Sequence, residues 1–204
     1  MRKLLLLAVI ATLAVGCNQT ASNGPVAADG PDLSVDLGLK PHPDQTQEFT
    51  ETQLLDLFAN VENFGFLKTA KNGEFYFIEP TDGFKRQIAD YNRTSEPVQL
   101  TPEQTEHIKE TLSDARHYGW VAARKGCIPS PGIVLRLVGD QREMSVVFCF
   151  ACNLLVFYES GTKLGGEDFD MMRPQFVTVL KALYPKNDLV QGLPLNGCGL
   201  TDRN

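Results

Sequence analysis

Four cysteines in the second half of the chain are the residues best suited to chemistry. Cys149 and Cys152 form a CxxC pair, Cys127 lies upstream of it, and Cys198 lies near the C-terminus. An even number of cysteines is the usual sign of disulfide bonds in an exported chain, and four cysteines allow three pairings. The pattern therefore predicts disulfide bonds if the chain is exported.

The predicted strand register limits which cysteines can form disulfide bonds with each other. A hairpin whose two loop residues are Asp140 and Gln141 brings Cys127 near the end of its ladder, within reach of either cysteine of the CxxC pair. If Phe150-Ala151 is the tip of the next hairpin, the two cysteines of the pair face each other. Directly opposed residues lie about 4.5 to 5.5 Å apart at Cα, which is compatible with a disulfide. The pairing stays open at this point.

Three kinds of site compete for Cys127, Cys149, Cys152 and Cys198. They are disulfides that staple the sheet and tie down the C-terminal tail, a closed zinc site of four thiolates, and a redox centre. In the redox centre Cys149 would attack and Cys152 would resolve. We favour disulfides, because an exported chain meets an oxidising environment. We therefore predict no catalytic residue and no cofactor, with zinc as the alternative.

The segment after the CxxC pair also argues against the redox centre. Redox-active pairs of the thioredoxin type stand at a helix N-terminus, where the helix dipole lowers the pKa of the attacking thiol. Here the pair is followed by Asn153 to Tyr158, a run rich in apolar, β-branched and aromatic residues that is typical of a strand. A strand offers no such dipole.

Two histidine–carboxylate pairs lie on one predicted helix. His107 with Glu110, and Asp114 with His117, share a face at three-residue spacing. They could begin a metal site, but His42 is the only other histidine and lies in a different region of the chain. A solvated helix face explains them better, and we predict no metal site.

The acidic cluster Glu167, Asp168 and Asp170 suits Ca²⁺, and it equally suits the N-terminus of a following helix. The sequence contains no serine in a nucleophile elbow, no phosphate-binding glycine loop and no HExxH motif. These patterns make an enzyme the less favoured class, and the enzyme question stays open.

The N-terminus carries an export signal. Arg2 and Lys3 precede an apolar run over residues 4–15, which is too short for a permanent membrane span and suits a signal peptide. The last two residues of this run and the two after it, Ala14-Val15-Gly16-Cys17, resemble the lipobox of bacterial lipoproteins. The resemblance implies that residues 1–16 are removed and that Cys17 carries acyl chains such as palmitate. Asn18 then favours the outer membrane if the cell has one.

The net charge of the chain limits the kinds of partner that it can bind. The 204-residue chain has a net charge of −6 and an isoelectric point near 5.1, which argues against nucleic acid as a partner. Removing Arg2 and Lys3 with the signal peptide would bring the net charge to −8. Such a surface gains nothing from anionic lipid headgroups. We therefore predict that the chain meets the membrane through its N-terminal lipid alone.

The mature chain divides into a linker and one globular domain. Residues 17–48 contain four prolines, several glycines and serines and no aromatic residue, a composition that predicts a disordered tether. Residues 49–204 form the domain. Its pattern predicts an α+β fold with a mainly antiparallel sheet of about five to seven strands and about three helices.

Local signals place the predicted elements of the domain. A capping box over residues 50–53 begins a first helix that ends near 63–65, and a second capping box over 101–104 begins another. A third helix covers 173–183, and Gly165-Gly166 is predicted as a loop. The predicted strands are a hairpin over 66–78 that turns at Asn72-Gly73, single strands at 84–91 and 120–123, and a meander over 133–138, 144–150 and 153–158.

From about Leu100 onward the sequence resembles a family of uncharacterised bacterial lipoproteins and exported proteins. The resemblance rests on Leu100 to Gln104 opening a helix, Cys127 followed by prolines and a strand, Val147 to Cys152, and Leu183 to Pro185. It covers about half of the chain. It implies a small α+β domain with a cysteine core, and it implies no activity, substrate or cofactor.

Together these features predict a lipid-anchored protein of the bacterial cell envelope. Its domain is a non-catalytic binding or structural module for a protein or small-molecule partner that the sequence does not identify. The alternatives are a thiol–disulfide oxidoreductase that uses Cys149 and Cys152, and a zinc-stabilised module built on the four downstream cysteines.

Overall fold

A computed structural model describes residues 51–120 and 125–196. Within these ranges the chain forms one six-stranded sheet, five α-helices and three short 3-10 helices. The α-helices are α1 (Glu51–Phe58), α2 (Val61–Thr69), α3 (Pro102–Ser113), α4 (Arg173–Leu183) and α5 (Asp188–Gln191). The strands are β1 (Asn72–Phe77), β2 (Val98–Gln99), β3 (Ile133–Val138), β4 (Glu143–Cys149), β5 (Leu154–Glu159) and β6 (Thr162–Asp168). The 3-10 helices are Ile88–Asp90, Ala115–His117 and Asp170–Met172.

The predicted fold class is confirmed. The strands lie in the order β2-β1-β3-β4-β5-β6 and every neighbouring pair is antiparallel. The predicted meander forms β3, β4 and β5. Val138 pairs with Glu143, so Asp140 and Gln141 stand at the tip of the β3–β4 hairpin as predicted.

The two faces of the sheet are covered differently. On one face a row of opposed, fully buried residues, Phe75, Leu135, Val146 and Phe157, belongs to the main core, to which the helices contribute. On the other face Val134, Val147 and Val156 pack beneath the irregular segment 79–97. Side chains alternate between the faces of a strand, so each central strand is apolar on both sides.

The second capping box is confirmed at the start of α3. The Gln104 N–H donates to Thr101 Oγ1 at 3.2 Å, and the Thr101 N–H donates to Gln104 Oε1 at 2.9 Å. Pro102 occupies the first turn, where a missing N–H is tolerated. The helix predicted at 173–183 is also confirmed, and Phe176, Val177 and Leu180 on its apolar side are buried.

The first predicted helix is in fact two helices. Ala59 has a φ of 65°, which breaks the helix after Phe58. Asn60 then caps α2, because its side-chain oxygen accepts from the Asn63 N–H at 2.8 Å. The break turns Val61 away from the face predicted for it, and Val61 is 64% exposed.

The hairpin predicted at Asn72-Gly73 is wrong. Both residues lie inside β1, opposite Val138 and Leu137 of β3. The segment before them is α2, which buries Phe66 and Leu67 in the main core. Pairing with a distant strand and burial of a helical face outweigh the local turn preference of Asn-Gly.

Two further predictions are corrected. Residues 84–91 form the 3-10 helix Ile88–Asp90 within the covering segment rather than a strand. Gly165-Gly166 belong to β6 rather than to a loop. Gly165 passes so close to the backbone of Leu57 in α1 that a side chain there would collide with it, so the glycines mark a close approach.

Several predictions fall outside the described residues. They are the signal peptide, the lipidated Cys17, the tether, the cap of α1 at Thr50, most of the strand predicted at 120–123, and Cys198. Within the described part of the chain, no helix is long and apolar enough to cross a membrane.

Candidate functional site

An apolar cleft of about 670 Å³ lies at one end of the sheet. Phe77 of β1 and Ile133 of β3 line it from the sheet, and the β4–β5 turn adds Phe150. On the other side stand Tyr184, after α4, and Leu189 of α5. The side-chain polar atoms of the lining come from hydroxyl groups and one amide, and none of the described lining residues is charged.

The aromatic walls of the cleft are held in place. The Tyr184 hydroxyl donates to the Phe75 carbonyl at 2.8 Å, and its ring lies 4.7 Å from that of Phe77. Burial raises the pKa of Tyr184 to about 12, although the positive charge of Arg93 opposes the rise. Tyr184 therefore stays a neutral hydrogen-bond donor. Leu189 is 85% exposed, so one wall presents an apolar side chain to solvent.

Cys149 and Cys152 flank Phe150 and Ala151, two residues that line this cleft. Cys127 and Cys152 form a disulfide with a Cα–Cα distance of 6.1 Å, which confirms the predicted disulfide bonding for these two residues. Cys149 is fully buried and unpaired within the described part of the chain. Its sulfur accepts a hydrogen bond from the Ser130 N–H at 3.2 Å.

The CxxC pair does not have the arrangement predicted from a hairpin with Phe150-Ala151 at its tip. Cys149 pairs with Leu154, so the turn contains the four residues 150–153 rather than Phe150-Ala151 alone. Asn153 closes the turn with a φ of 52°, a backbone conformation that asparagine tolerates better than most residues. The structure therefore pairs Cys152 with Cys127 and leaves Cys149 apart from both.

This arrangement bears on the two alternative sites. A redox centre needs a bond between Cys149 and Cys152, whereas here Cys152 is bonded to Cys127. A four-thiolate zinc site needs two sulfurs that are bonded to each other here, together with Cys198, which lies outside the described residues. The described residues contain no group of three or more metal-ligating side chains.

A network of buried hydrogen bonds and ion pairs holds the β4–β5 turn in place. Arg173 of α4 is 3% exposed and donates to the Phe150 carbonyl at 2.6 Å and to the Asn153 side-chain oxygen. The Asn153 amide donates in turn to Asp170. Asp170 pairs with Lys125 at 3.0 Å. The network thus joins the turn, the start of α4 and the segment that leads to Cys127.

The acidic cluster belongs to this network. Asp168 and Asp170 both pair with Lys125, and Glu167 accepts from the Asp168 N–H at 2.9 Å. A lysine 43 residues upstream of Asp168 therefore occupies the place considered for Ca²⁺. Sequence analysis missed Lys125, because nothing in its local pattern indicates a contact with β6.

Of the two histidines predicted to lie on a solvated helix face, one is exposed and the other is half-buried. His107 and Glu110 are exposed on α3. His117 is half-buried, with Nδ1 2.7 Å from the Thr111 carbonyl oxygen. Asp114 instead pairs with Arg116 at 2.5 Å. Asp114 and His117 thus have separate partners, Arg116 and the Thr111 carbonyl.

Comparisons with known proteins give no further assignment: no family model matches the chain, and neither the curated proteins nor the solved structures contain a significant match. The resemblance to bacterial lipoproteins therefore rests on the sequence motifs alone.

Loss of the Cys127–Cys152 disulfide should destabilise the domain. Replacing both residues with serine removes a bridge with a sequence separation of 25, and we expect the free energy of unfolding to fall by about 3 kcal/mol. Denaturant unfolding without reductant measures the difference. Under reducing conditions the two proteins should converge, and a difference that persists would assign the loss to side-chain packing instead.

Asp168 should make stability depend on pH. Burial raises the pKa of Asp168 to about 6, although hydrogen bonding to Lys125 opposes the rise. An unfolded aspartate has a pKa of about 3.9, so between these two values the native state binds more protons than the unfolded state. The contribution of Asp168 to stability therefore falls as the pH rises from about 4 to about 6.

The variant Asp168→Asn isolates this effect. We expect the free energy of unfolding of the wild type, minus that of the variant, to fall by up to about 3 kcal/mol across this window. Asp114→Asn is the control of opposite sign, because hydrogen bonding to Arg116 lowers the pKa of Asp114. A wild-type advantage that grows with pH at Asp168 would show that its ion pair with Lys125 outweighs its burial.

Proposed function

We propose that the protein is a lipid-anchored binding module of the bacterial cell envelope, and that the apolar cleft holds the apolar part of a small ligand. The observation that carries the proposal is the cleft itself. Its volume of about 670 Å³ falls within the range of small-molecule sites, which are mostly apolar with a few polar groups that orient the ligand.

The lining indicates the chemistry of the ligand. Aromatic and aliphatic side chains form most of the surface, and Ser95, Ser130 and Asn187 add uncharged polar groups. A charged headgroup would find no opposite charge among the described lining residues. An acyl chain or another uncharged apolar moiety fits this surface best, because its burial gains free energy in proportion to the apolar area removed from water.

The surroundings of the cleft favour binding without large rearrangement. Phe148 lies on the cleft and packs against Phe176 of α4 and Phe75 of β1, with ring centroids 4.7 and 6.4 Å away. The Cys127–Cys152 disulfide and the buried Arg173 hold the neighbouring turn. A wall that is already ordered costs little conformational entropy on binding.

Membrane attachment rests on the N-terminal sequence. The residues Ala14 to Cys17 resemble a lipobox, and an acidic mature chain gains little from anionic headgroups. A disulfide in the domain fits an oxidising compartment outside the cytoplasm. The proposed location is the cell envelope, and Asn18 favours the outer membrane if the cell has one.

Lipidation at Cys17 can be tested by fractionation of a bacterial host that expresses the full chain. We expect the wild type in the membrane fraction, with a mass that corresponds to a chain beginning at an acylated Cys17. The variant Cys17→Ser should lose both properties, and the control Cys198→Ser should keep them. Recovery of unacylated wild type in the soluble fraction would contradict the lipid anchor.

Binding in the cleft can be tested with N-phenyl-1-naphthylamine, an uncharged apolar dye whose fluorescence rises in apolar surroundings, and with displacement by a long-chain fatty alcohol. The variant Leu189→Asp places a charge in the cleft wall, and we expect at least tenfold weaker dye binding because burial of the charge is unfavourable. Leu189 is 85% exposed, so the substitution should leave the fold intact.

The matched control is Val61→Asp. Val61 is 64% exposed on α2 and does not line the cleft, so this variant should bind the dye like the wild type. Equal dye affinity of Leu189→Asp and Val61→Asp, or no saturable binding by the wild type, would contradict the proposed site.

A further inference from the structure

An arginine stands just outside the apolar cleft. Thr94 and Ser95 line the cleft, and Arg93 directly precedes them in the chain. Arg93 also pairs with Ile78, another lining residue, in an isolated β-bridge. The Arg93 Nε donates to the Ser95 carbonyl at 2.6 Å. The guanidinium therefore lies at the edge of the cleft.

The positive charge of Arg93 acts on the cleft wall. Burial raises the pKa of Tyr184, which lines the cleft, and the charge of Arg93 opposes that rise. The Arg93 Cζ lies 5.1 Å from the centre of the Tyr76 ring, a distance at which the ring face attracts a cation. The ring and the Ser95 carbonyl thus hold the guanidinium where its charge reaches Tyr184.

A smaller polar cavity of about 210 Å³ shares Ile78 with the cleft and is also lined by Arg93. Its lining includes a second cation, Arg136, which is already paired. Nη1 of Arg136 lies 3.1 Å from Glu74, and its Nε donates to Glu143 at 2.9 Å. This group of one cation and two carboxylates has a net charge of −1, which repels a further anion. An anion bound here is therefore expected at Arg93 rather than at Arg136.

The carboxylate that now pairs with Arg93 is a weak competitor. Nη2 of Arg93 lies 3.2 Å from Glu96, whose side chain is 99% exposed. Water screens an ion pair of this kind, so it contributes little free energy. A ligand carboxylate whose chain is already held in the cleft has a high effective concentration at Arg93. Such a carboxylate can replace Glu96.

We propose that the ligand of the cleft is a long-chain carboxylate, whose hydrocarbon chain lies in the cleft and whose carboxylate pairs with Arg93. The inference rests on the proposed function and adds the charge of the ligand to it. A guanidinium forms charge-assisted hydrogen bonds to both oxygens of a carboxylate. One guanidinium also balances one negative charge, whereas a phosphate monoester carries nearly two at neutral pH.

The experiment compares three ligands of equal chain length: dodecanoate, dodecanol and dodecylammonium. Each displaces N-phenyl-1-naphthylamine from the full chain at pH 8 and low ionic strength, below its micelle concentration. The chain carries Cys17→Ser, so that no detergent is needed. We expect dodecanoate to displace the dye at about fivefold lower concentration than dodecanol, and dodecylammonium to need at least as much as dodecanol. Added salt should reduce the preference for dodecanoate.

Three variants test the role of Arg93. In Arg93→Gln, dodecanoate should need the same concentration as dodecanol, because the charge that favours it is gone. Arg86→Gln is the matched control: it changes the net charge equally, and Arg86 is exposed and lines neither cavity. It should keep the preference. Glu96→Gln removes the competing carboxylate and should tighten dodecanoate binding further.

The outcomes separate this inference from the proposed function. Equal displacement by dodecanoate and dodecanol, tighter binding of dodecylammonium, or a preference that survives Arg93→Gln would overturn the inference alone. No saturable displacement by any of the three ligands would overturn the proposed function as well. If Arg93→Gln does not fold, Glu96→Gln still decides, since its side chain is almost fully exposed. Unchanged dodecanoate binding in that variant would contradict the pairing with Arg93.

Discussion

The guanidinium of Arg173 is a buried charge, and a buried charge must be hydrogen-bonded because it has lost its hydration. Its acceptors come from the β4–β5 turn and from Pro194. Through Asn153 the same network reaches Asp170 and then Lys125. Removing any member would take a hydrogen bond or an ion pair from another member of the network. Parts of the chain that are distant in sequence are thereby held in one arrangement, in which the Cys127–Cys152 disulfide and the cleft lie side by side.

The sheet explains where the cleft is found. Its central strands are apolar on both faces. Helices cover one face, and the segment 79–97 covers the other. The cleft lies at the end of the sheet where α4 has ended, between Tyr184 and the turn after β4. Of the apolar side chains there, Phe77 from the sheet is half-buried, and Leu189 on the opposite wall is largely exposed. A concave, mostly apolar surface with a few polar groups is typical of small-molecule sites, which agrees with the proposed binding role.

Elements that depend on local contacts were predictable from the sequence, whereas prediction failed elsewhere. The capping box at Thr101 and Gln104 and the two-residue tip at Asp140 and Gln141 each depend on neighbours within a few residues. Prediction failed where a distant partner outweighed a local preference. Asn72-Gly73 is a good turn sequence, yet its pairing with β3 places it inside a strand. Similarly, Gly165 of β6 is explained by the nearby backbone of α1, and Gly166 by the nearby residues Leu155 and Val156 of β5, which no local pattern reveals.

The sequence by itself determined the α+β class and the β3–β4–β5 meander and favoured disulfide bonding, because hydrophobic periodicity, turn residues and cysteine content are properties of short segments or of composition. Only the tertiary structure decided that Cys127 pairs with Cys152, that Lys125 pairs with Asp168 and Asp170 of the acidic cluster, and that an apolar cleft opens beside Tyr184. Each of these depends on side chains from separate elements meeting in space. Such contacts are set by the packing of the whole domain, so they leave no signal in the spacing of neighbouring residues.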